Sequence, residues 1–179
     1  MKRRKFIEQS ALATVGLSLS NSLIWAATDF VSQRPAANKR KFVSKAVEEA
    51  LISTKAKIAD AELAWMFENC YPNTLDTTVQ HYEKEGRPYT YVITGDIDAM
   101  WLRDSTAQVW PYLSLVNKDA ALKKLIEGVI NKQTEFVLLD PYANAFFDDP
   151  TKKGWDDLTE MKPGVHERKW EIDSLCYVI

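Results

Sequence analysis

The sequence contains little of the two residue types that most often bind transition metals or form covalent cross-links. Among 179 residues there are two cysteines, Cys70 and Cys176, and two histidines, His81 and His166. Neither histidine has another histidine or a cysteine three or four residues away, which is the spacing of common zinc sites. Two cysteines allow one disulfide, and two buried free thiols are the alternative. The sequence therefore excludes a disulfide framework and has no zinc-ligand spacing.

An excess of positive charge is also absent. The formal net charge is −2 at pH 7, and residues 1–27 hold four of the 23 basic side chains but only one of the 25 acidic ones. The remaining residues therefore have 19 basic and 24 acidic side chains, which leaves about five net negative charges. Nucleic acids and anionic membranes attract proteins through basic surfaces. We therefore expect neither as a partner, whereas a neutral ligand fits this charge.

No apolar run is long enough to cross a bilayer, which takes about 20 residues. The best candidate extends from Ala11 to Trp25, and serines and an asparagine interrupt it. It follows the basic residues Lys2–Lys5 and precedes Ala26-Ala27, which is the layout of a cleavable export signal. Residues 3–7, Arg-Arg-Lys-Phe-Ile, resemble a twin-arginine signal in particular.

These features predict three segments. Residues 1–27 are predicted to be a twin-arginine-like signal peptide, and residues 28–40, with a proline and several small side chains, a linker. Residues 41–179 are predicted to form the folded domain. We expect an exported protein of the periplasm or cell envelope that keeps no stable membrane association after signal cleavage.

Hydrophobic periodicity predicts a mainly helical domain with very little strand. The pattern predicts helices over residues 43–58, 63–70, 104–116 with a kink at Pro111, and 119–139, and a further helix from residue 168. Aspartate, serine and threonine at 104–106 are predicted to cap the third helix. Tyr89–Thr94 is predicted to be extended and to end at Gly95, whereas residues 73–78 and 81–88 are predicted to be loops.

The densest group of polar and aromatic side chains lies between Gly95 and Thr106. Arg103 offers a planar set of donors, Trp101 offers a flat apolar face, and acceptors come from the aspartates at positions 96, 98 and 104. Sugars bind to such mixtures, because their hydroxyls pair with donors and acceptors while their C–H faces stack on aromatic rings. Two other interpretations are a salt bridge of Arg103 with Trp101 in the core, and a divalent cation on the aspartates.

Two further features concern the second half of the chain. Trp155 lies in a polar loop over residues 148–163, where it would either offer a sugar a second aromatic face or anchor the loop. The sequence ends on Leu175–Ile179, an apolar run without a cap or polar tail. Because such side chains need a partner surface, we expect the chain to be truncated.

Four blocks of the sequence resemble the successive signature blocks of glycoside hydrolase family 125. They are Phe67–Thr78, Ile93–Ser105, Leu139–Phe146 and Glu167–Tyr177. They occur in the family's order, and the resemblance covers the chain from about residue 41 to its end. Long blocks in the right order are far more specific than any one short motif.

The resemblance implies an all-α fold, an (α/α)6 toroid of which this chain would be roughly the N-terminal third. It implies a metal-independent exo-α-1,6-mannosidase without a cofactor, which hydrolyses terminal non-reducing α-1,6-linked mannose with inversion. The expected partner is a mannose-containing oligosaccharide, an N-glycan or a mannan, and the full-length protein is expected to be a monomer. The general acid, an aspartate, and the general base, a glutamate, are expected beyond Ile179. The fragment is therefore expected to be poorly stable and inactive alone.

The resemblance also suggests which residues bind substrate: Asp96, Trp101, Arg103, Asp104, Glu171 and Asp173. Arg103 with one of the first two aspartates would bind mannose hydroxyls, and Trp101 would form a wall of the subsite. Glu171 and Asp173 are two positions apart, so on one helix they would point to different faces and one would be structural. Any two of the carboxylates could be proposed as an inverting acid and base, which lie about 6.5–9.5 Å apart, but we favour substrate positioning. A non-catalytic carbohydrate-binding protein and an inactive truncated product are the alternatives.

Overall fold

The computed structural model describes residues 30–169 and 171–179. The predicted signal peptide over residues 1–27 lies outside the described residues, as does the beginning of the predicted linker. Ser32–Ile179 forms one compact unit. About half of the described residues are helical, yet short strands build a two-stranded and a three-stranded sheet. The prediction of an all-α fold is therefore wrong in this respect.

The described residues contain five α-helices and five strands. The helices are α1 Lys45–Lys55, α2 Ala61–Cys70, α3 Leu102–Val109, α4 Ala120–Leu139 and α5 Ile172–Cys176. The strands are β1 Val79–Lys84, β2 Arg87–Val92, β3 Met100–Trp101, β4 Ala145–Phe146 and β5 Val165–Glu167. A 3-10 turn at Ala37–Lys39, a π-helical turn at Thr74–Thr78 and a 3-10 helix at Trp110–Lys118 complete the regular structure.

Side-chain caps fix where three of the helices begin. Ser44 accepts a hydrogen bond from the backbone N–H of Val47 at the start of α1, and Asp60 does the same for Leu63 in α2. Asp119 accepts from two N–H groups at the start of α4, whose predicted extent is confirmed. These carboxylates and hydroxyls satisfy donors that the first helical turn leaves free.

The third helix differs from its prediction at both ends. It begins at Leu102, directly after the strand, so that Asp104 lies in its first turn and is not the cap. After Val109 the chain continues as a 3-10 helix that has Pro111 near its start. Because proline has no N–H to donate, the regular α-helical bonding ends near the predicted kink.

The predicted loop over residues 81–88 is a β-hairpin, and that prediction is wrong. Strands β1 and β2 pair antiparallel from Val79 opposite Val92 to Lys84 opposite Arg87. The connecting residues Glu85-Gly86 both have positive φ, as the favoured two-residue hairpin turn requires. Residues 73–78, also predicted to be a loop, form the π-helical turn.

Helix α4 packs across strand β2 to build the main core. A Cβ atom on Gly128 would lie 2.4 Å from Thr90 Oγ1, so the glycine permits this close approach. Farther along α4, the ring of Phe136 stacks on that of Phe146, with 4.6 Å between ring centres. The buried Tyr91 hydroxyl donates to the backbone oxygen of Phe146 at 3.1 Å. The hairpin, α4 and β4 therefore share one core.

The three-stranded sheet joins parts of the chain that are far apart in sequence. Strand β4 is central, and it pairs antiparallel with β3 on one side and with β5 on the other. Strand β3 leads directly into α3, and β5 leads toward α5. Residues that follow β3 and β5 are thereby brought to one end of the sheet.

Residues 32–40 of the predicted linker are part of the compact unit. The Arg34 guanidinium donates to Asp76 Oδ2 at 2.7 Å and to Glu48 Oε1 at 2.5 Å. Arg40 also contacts Glu48, at 3.3 Å. These ion pairs connect the segment before α1 with α1 itself and with the π-helical turn.

Cys70 and Cys176 are both free, which contradicts the disulfide alternative, and both are exposed, which contradicts the burial expected in the free-thiol alternative. Cys70 ends α2 and Cys176 ends α5. In the part of the chain that the structure describes, no helix has the length and apolar character needed to cross a membrane.

Candidate functional site

Strand pairing brings three of the four signature blocks together around Arg103. The Leu102 N–H donates to the backbone oxygen of Asn144 at 3.1 Å, and the Asn144 N–H donates to that of Glu167 at 3.1 Å. This ladder places the first turn of α3 beside the residues that follow β5. Arg103 and Glu171, which are 68 residues apart, thereby become neighbours.

The Arg103 guanidinium is surrounded by three carboxylates. Its Nη1 donates to Asp173 Oδ2 at 2.9 Å and lies 3.5 Å from Glu171 Oε2, while Nη2 lies 3.3 Å from Asp104 Oδ2. The hydrogen bond from Arg103 holds the pKa of Asp173 below its ordinary value, and the same bond raises the pKa of Arg103. Both side chains therefore stay charged at neutral pH, and the group carries more negative than positive charge.

Glu171 and Asp173 reach the same guanidinium nitrogen, contrary to the prediction that they diverge. Glu171 has non-helical backbone angles (φ −122°, ψ 89°) and precedes α5, which begins at Ile172. The helical geometry on which the prediction relied therefore applies only to Asp173.

Asn144 holds the glutamates in place, and the sequence analysis did not nominate it. It is fully buried, and its Nδ2 donates to Glu167 Oε1 at 2.7 Å and to Glu171 Oε2 at 3.1 Å. The Ser174 hydroxyl donates to the same Glu171 oxygen at 3.2 Å. The only sequence signal for Asn144 was its place in the third signature block. We call Arg103, Asp104, Asn144, Glu171 and Asp173 the Arg103 cluster.

Asp104 contributes an oxygen without a hydrogen-bond partner among the described residues. This atom, Oδ2, is buried, and its contact with Arg103 Nη2 is an ion pair without hydrogen-bond geometry. A buried acceptor that lacks a donor costs about 1–3 kcal/mol. The ion pair with the Arg103 guanidinium offsets part of that cost.

The other two aspartates of the motif do not join the Arg103 cluster. Asp98 pairs with Lys152 Nζ at 2.6 Å, and Asp96 is exposed and has no described hydrogen bond or ion pair with Arg103. Within residues 30–169 and 171–179, no group of three or more histidine, cysteine or acidic side chains is arranged to hold a metal ion. The structure therefore separates the three aspartates that the cation interpretation had grouped.

Trp101 is 7% exposed, so it offers a ligand little surface. It packs with Ala99, Ala145 and Phe147 in a small second core. Its ring centre lies 6.1 Å from that of Trp155, which is 47% exposed. Of these two tryptophans, Trp155 presents the larger aromatic surface.

His166 lies between these rings and is 4% exposed. Its ring centre is 5.0 Å from that of Trp101, 4.8 Å from that of Phe147 and 4.4 Å from that of Trp155. Neither ring nitrogen has a hydrogen-bond partner among the described residues. Burial lowers the pKa of His166, which favours the neutral imidazole.

Apart from the Arg103 cluster, a cleft of about 400 Å³ lies between the hairpin and α4. Its buried Lys132 donates to Asp148 at 2.7 Å and Glu135 at 3.0 Å, and the Tyr82 hydroxyl donates to Asp148 at 2.8 Å. Burial raises the pKa of Tyr82 to about 12. Because these polar groups form hydrogen bonds and ion pairs with one another, we interpret them as a structural network and not as a ligand site.

Comparison with known proteins identifies the family of this chain. A family model described as metal-independent alpha-mannosidase (GH125) matches residues 60–179. The chain belongs to glycoside hydrolase family 125. All four signature blocks lie within that match, so the resemblance inferred from the sequence is confirmed.

Two relatives show how much of a family 125 protein this chain covers. It is 44% identical over 156 residues to the Meiotically up-regulated gene 157 protein of Schizosaccharomyces pombe, a match that covers 80% of this chain and 30% of that protein. It is also 44% identical to a metal-independent alpha mannosidase of Streptococcus pneumoniae, solved as a non-productive complex with alpha-1,6-mannobiose. That match has a TM-score of 0.68 and covers 77% of this chain and 32% of the other. The chain therefore spans about a third of the length of each relative.

Proposed function

We propose that this chain supplies a mannose-binding part of an exo-α-1,6-mannosidase that works without a metal or cofactor. The Arg103 cluster carries the proposal, because it combines a half-buried guanidinium with fixed carboxylates. Family membership supports the reaction class, and the pneumococcal relative was solved with the disaccharide that we propose as substrate. The proposal includes the (α/α)6 toroid as the architecture of the complete domain.

The chemistry of the cluster suits a neutral sugar. Arg103 can donate to adjacent hydroxyls of one mannose, and the carboxylates can accept from hydroxyls of the same ring. Asn144 and Ser174 hold Glu171, so the acceptor stays in position when the substrate arrives. The net negative charge also favours the oxocarbenium-like transition state of glycoside hydrolysis.

These carboxylates are better suited to binding than to acting as the general acid. An acid must hold a proton near neutral pH, whereas Arg103 lowers the pKa of Asp173. In the proposed inverting mechanism, an aspartate protonates the leaving oxygen and a glutamate activates water on the opposite face. We place both of these groups outside the 179 residues, and we propose that the chain alone is inactive.

The proposed substrate is the terminal non-reducing α-1,6-linked mannose of an N-glycan or a mannan. We further propose that residues 1–27 direct export to the periplasm or cell envelope, where such glycans arrive from outside. The full-length protein is proposed to act as a monomer.

The test compares Arg103→Ala with Arg87→Ala, a control at an exposed arginine of the hairpin. Binding of mannose and α-1,6-mannobiose to the chain is measured by calorimetry, and hydrolysis is measured with the complete open reading frame that contains it. Loss of charged hydrogen bonds, each worth about 1.5–3 kcal/mol, should weaken binding more than about ten-fold in Arg103→Ala only. Wild-type affinity in Arg103→Ala would contradict the assignment. Binding without hydrolysis by the complete protein would favour a carbohydrate-binding protein.

A further inference from the structure

Trp155 is a half-exposed tryptophan whose backbone is hydrogen-bonded to strand β5. Its N–H donates to the His166 backbone oxygen at 3.0 Å. Two residues later, Asp157 accepts a hydrogen bond from the Arg168 N–H at 2.6 Å. The segment around Trp155 therefore runs along β5 as if it were an added strand.

The residue before the tryptophan makes this close contact possible. A Cβ atom on Gly154 would lie 2.1 Å from the His166 backbone oxygen, so only glycine fits there without movement. Lys152, on the same segment, pairs with Asp98 at 2.6 Å and so connects the segment to the loop before β3. The position of Trp155 is thus fixed from both directions along the chain.

The surroundings of the indole are charged, which distinguishes it from an apolar docking surface. Lys169 Nζ lies 5.4 Å from the centre of the Trp155 ring and 3.3 Å from Glu167 Oε2. The neighbouring Lys153 and Asp156 side chains are exposed. An aromatic face among charged donors and acceptors matches a polyol, which has both C–H faces and hydroxyls.

Hydrogen bonds connect this position to the Arg103 cluster. Glu167, the partner of Lys169, accepts from Asn144 Nδ2, and the same amide donates to Glu171. The backbone N–H of Lys169 donates to Asn144 Oδ1 at 2.9 Å. The indole and the guanidinium therefore lie along one continuous polar network.

We propose that Trp155 binds the second mannose unit of the substrate, while the Arg103 cluster binds the terminal one. The C–H face of the second sugar stacks on the indole in place of the Lys169 ammonium, which then donates to a hydroxyl of that sugar. His166 and Trp101 pack beside the indole and hold it in place. This inference rests on the proposed function, since it concerns the next sugar of the same substrate.

The experiment measures the affinities of mannose and of α-1,6-mannobiose for the full chain and for three variants. Trp155→Ala should weaken mannobiose binding about ten-fold, as truncation of a buried tryptophan contact typically does, and should leave mannose binding within about two-fold. Trp155→Phe should retain most of the mannobiose affinity. Trp110→Ala removes another exposed tryptophan as a matched control, and it should change neither affinity.

A measurement on the wild-type chain tests the same inference without depending on whether the variants fold. In NMR spectra, mannobiose should shift the indole N–H resonance of Trp155, and mannose at the same occupancy should not. Equal loss of both affinities in Trp155→Ala, or an unshifted indole resonance with mannobiose, would overturn the inference while leaving the proposed function intact. Failure of the wild-type chain to bind either sugar, or unchanged binding in Arg103→Ala, would instead overturn the proposed function.

Discussion

Replacement of Arg34 by methionine should destabilise the compact unit strongly, although the residue lies in a segment with the composition of a linker. The Arg34 side chain is 7% exposed, and its partner Asp76 is 2% exposed. Methionine keeps much of the side-chain volume but leaves the Asp76 carboxylate buried without its closest cation. The expected effect therefore comes from charge and hydrogen bonding more than from lost packing.

The expected loss in free energy of unfolding follows from the unpaired carboxylate of Asp76. Removal of one member of a buried ion pair costs about 3–5 kcal/mol. Arg40 Nε lies 3.6 Å from the other Asp76 oxygen and can offset part of the loss, so we expect a value near the lower end, about 3 kcal/mol. For a unit of this size, 1 kcal/mol corresponds to about 2–4 °C in Tm, which gives a decrease of about 6–12 °C.

The assay is urea denaturation followed by circular dichroism, with Lys45→Met as the control. Lys45 and Glu49 form an ion pair at 3.8 Å in which both side chains are largely exposed, so its loss should cost less than about 1 kcal/mol. A free energy of unfolding for Arg34→Met within about 0.5 kcal/mol of the wild type, below the smallest cost of a broken buried pair, would refute the reasoning.

The pH dependence of stability tests the other ion pair of Arg34, with Glu48. The hydrogen bond from Arg34 lowers the pKa of Glu48 in the folded state. A depressed carboxyl pKa adds stability above its unfolded value, near 4.5, and this contribution is lost as the pH falls through the folded value. Arg34→Met should flatten this acid limb of the stability curve, and an unchanged limb would count against the pairing.

Two further predictions concern the core and the Arg103 cluster. Gly128→Ala should destabilise the fold by about 1–3 kcal/mol in thermal unfolding, because the new methyl group would meet Thr90 at 2.4 Å. Helix propensity alone predicts a gain of about 1 kcal/mol, so a raised Tm would contradict the packing of α4 on β2. Arg103→Ala should raise the pKa of Asp173 toward its ordinary value in a carboxyl NMR titration, since Arg103 donates its main stabilising hydrogen bond. An unchanged titration would show that the two side chains do not pair.

Features fixed by local chemistry could be predicted from the sequence. Asp119 begins α4, because a side-chain oxygen that accepts from the next N–H groups depends on a few residues only. Gly95 has a φ of 129°, which other residues rarely adopt, so a break in the chain there was predictable, although strand β2 already ends at Val92. The signature block around Arg103 likewise identified the stretch that lies at the centre of the cluster.

Features that depend on distant pairing could not be predicted. The turn end of the hairpin, residues 83–87, is exposed and mostly charged, and β2 ends in three consecutive buried residues, so the hairpin lacks the alternation of a half-buried strand. Asn144 joins the cluster only through the register of β4, and Arg34 is buried by partners 14 and 42 residues away. Trp101 is buried and Trp155 is exposed because of how the three-stranded sheet forms, and no local sequence pattern predicts that sheet.

The most direct test of the central claim is an NMR titration of the chain with α-1,6-mannobiose that follows the side-chain resonances of arginine. The account predicts a saturable shift of the Arg103 guanidinium signal, accompanied by shifts of the backbone amides of Glu171 and Asp173, and loss of these amide shifts in Arg103→Ala. A spectrum in which the sugar leaves Arg103 unshifted, or in which the same amides shift equally in Arg103→Ala, would contradict it.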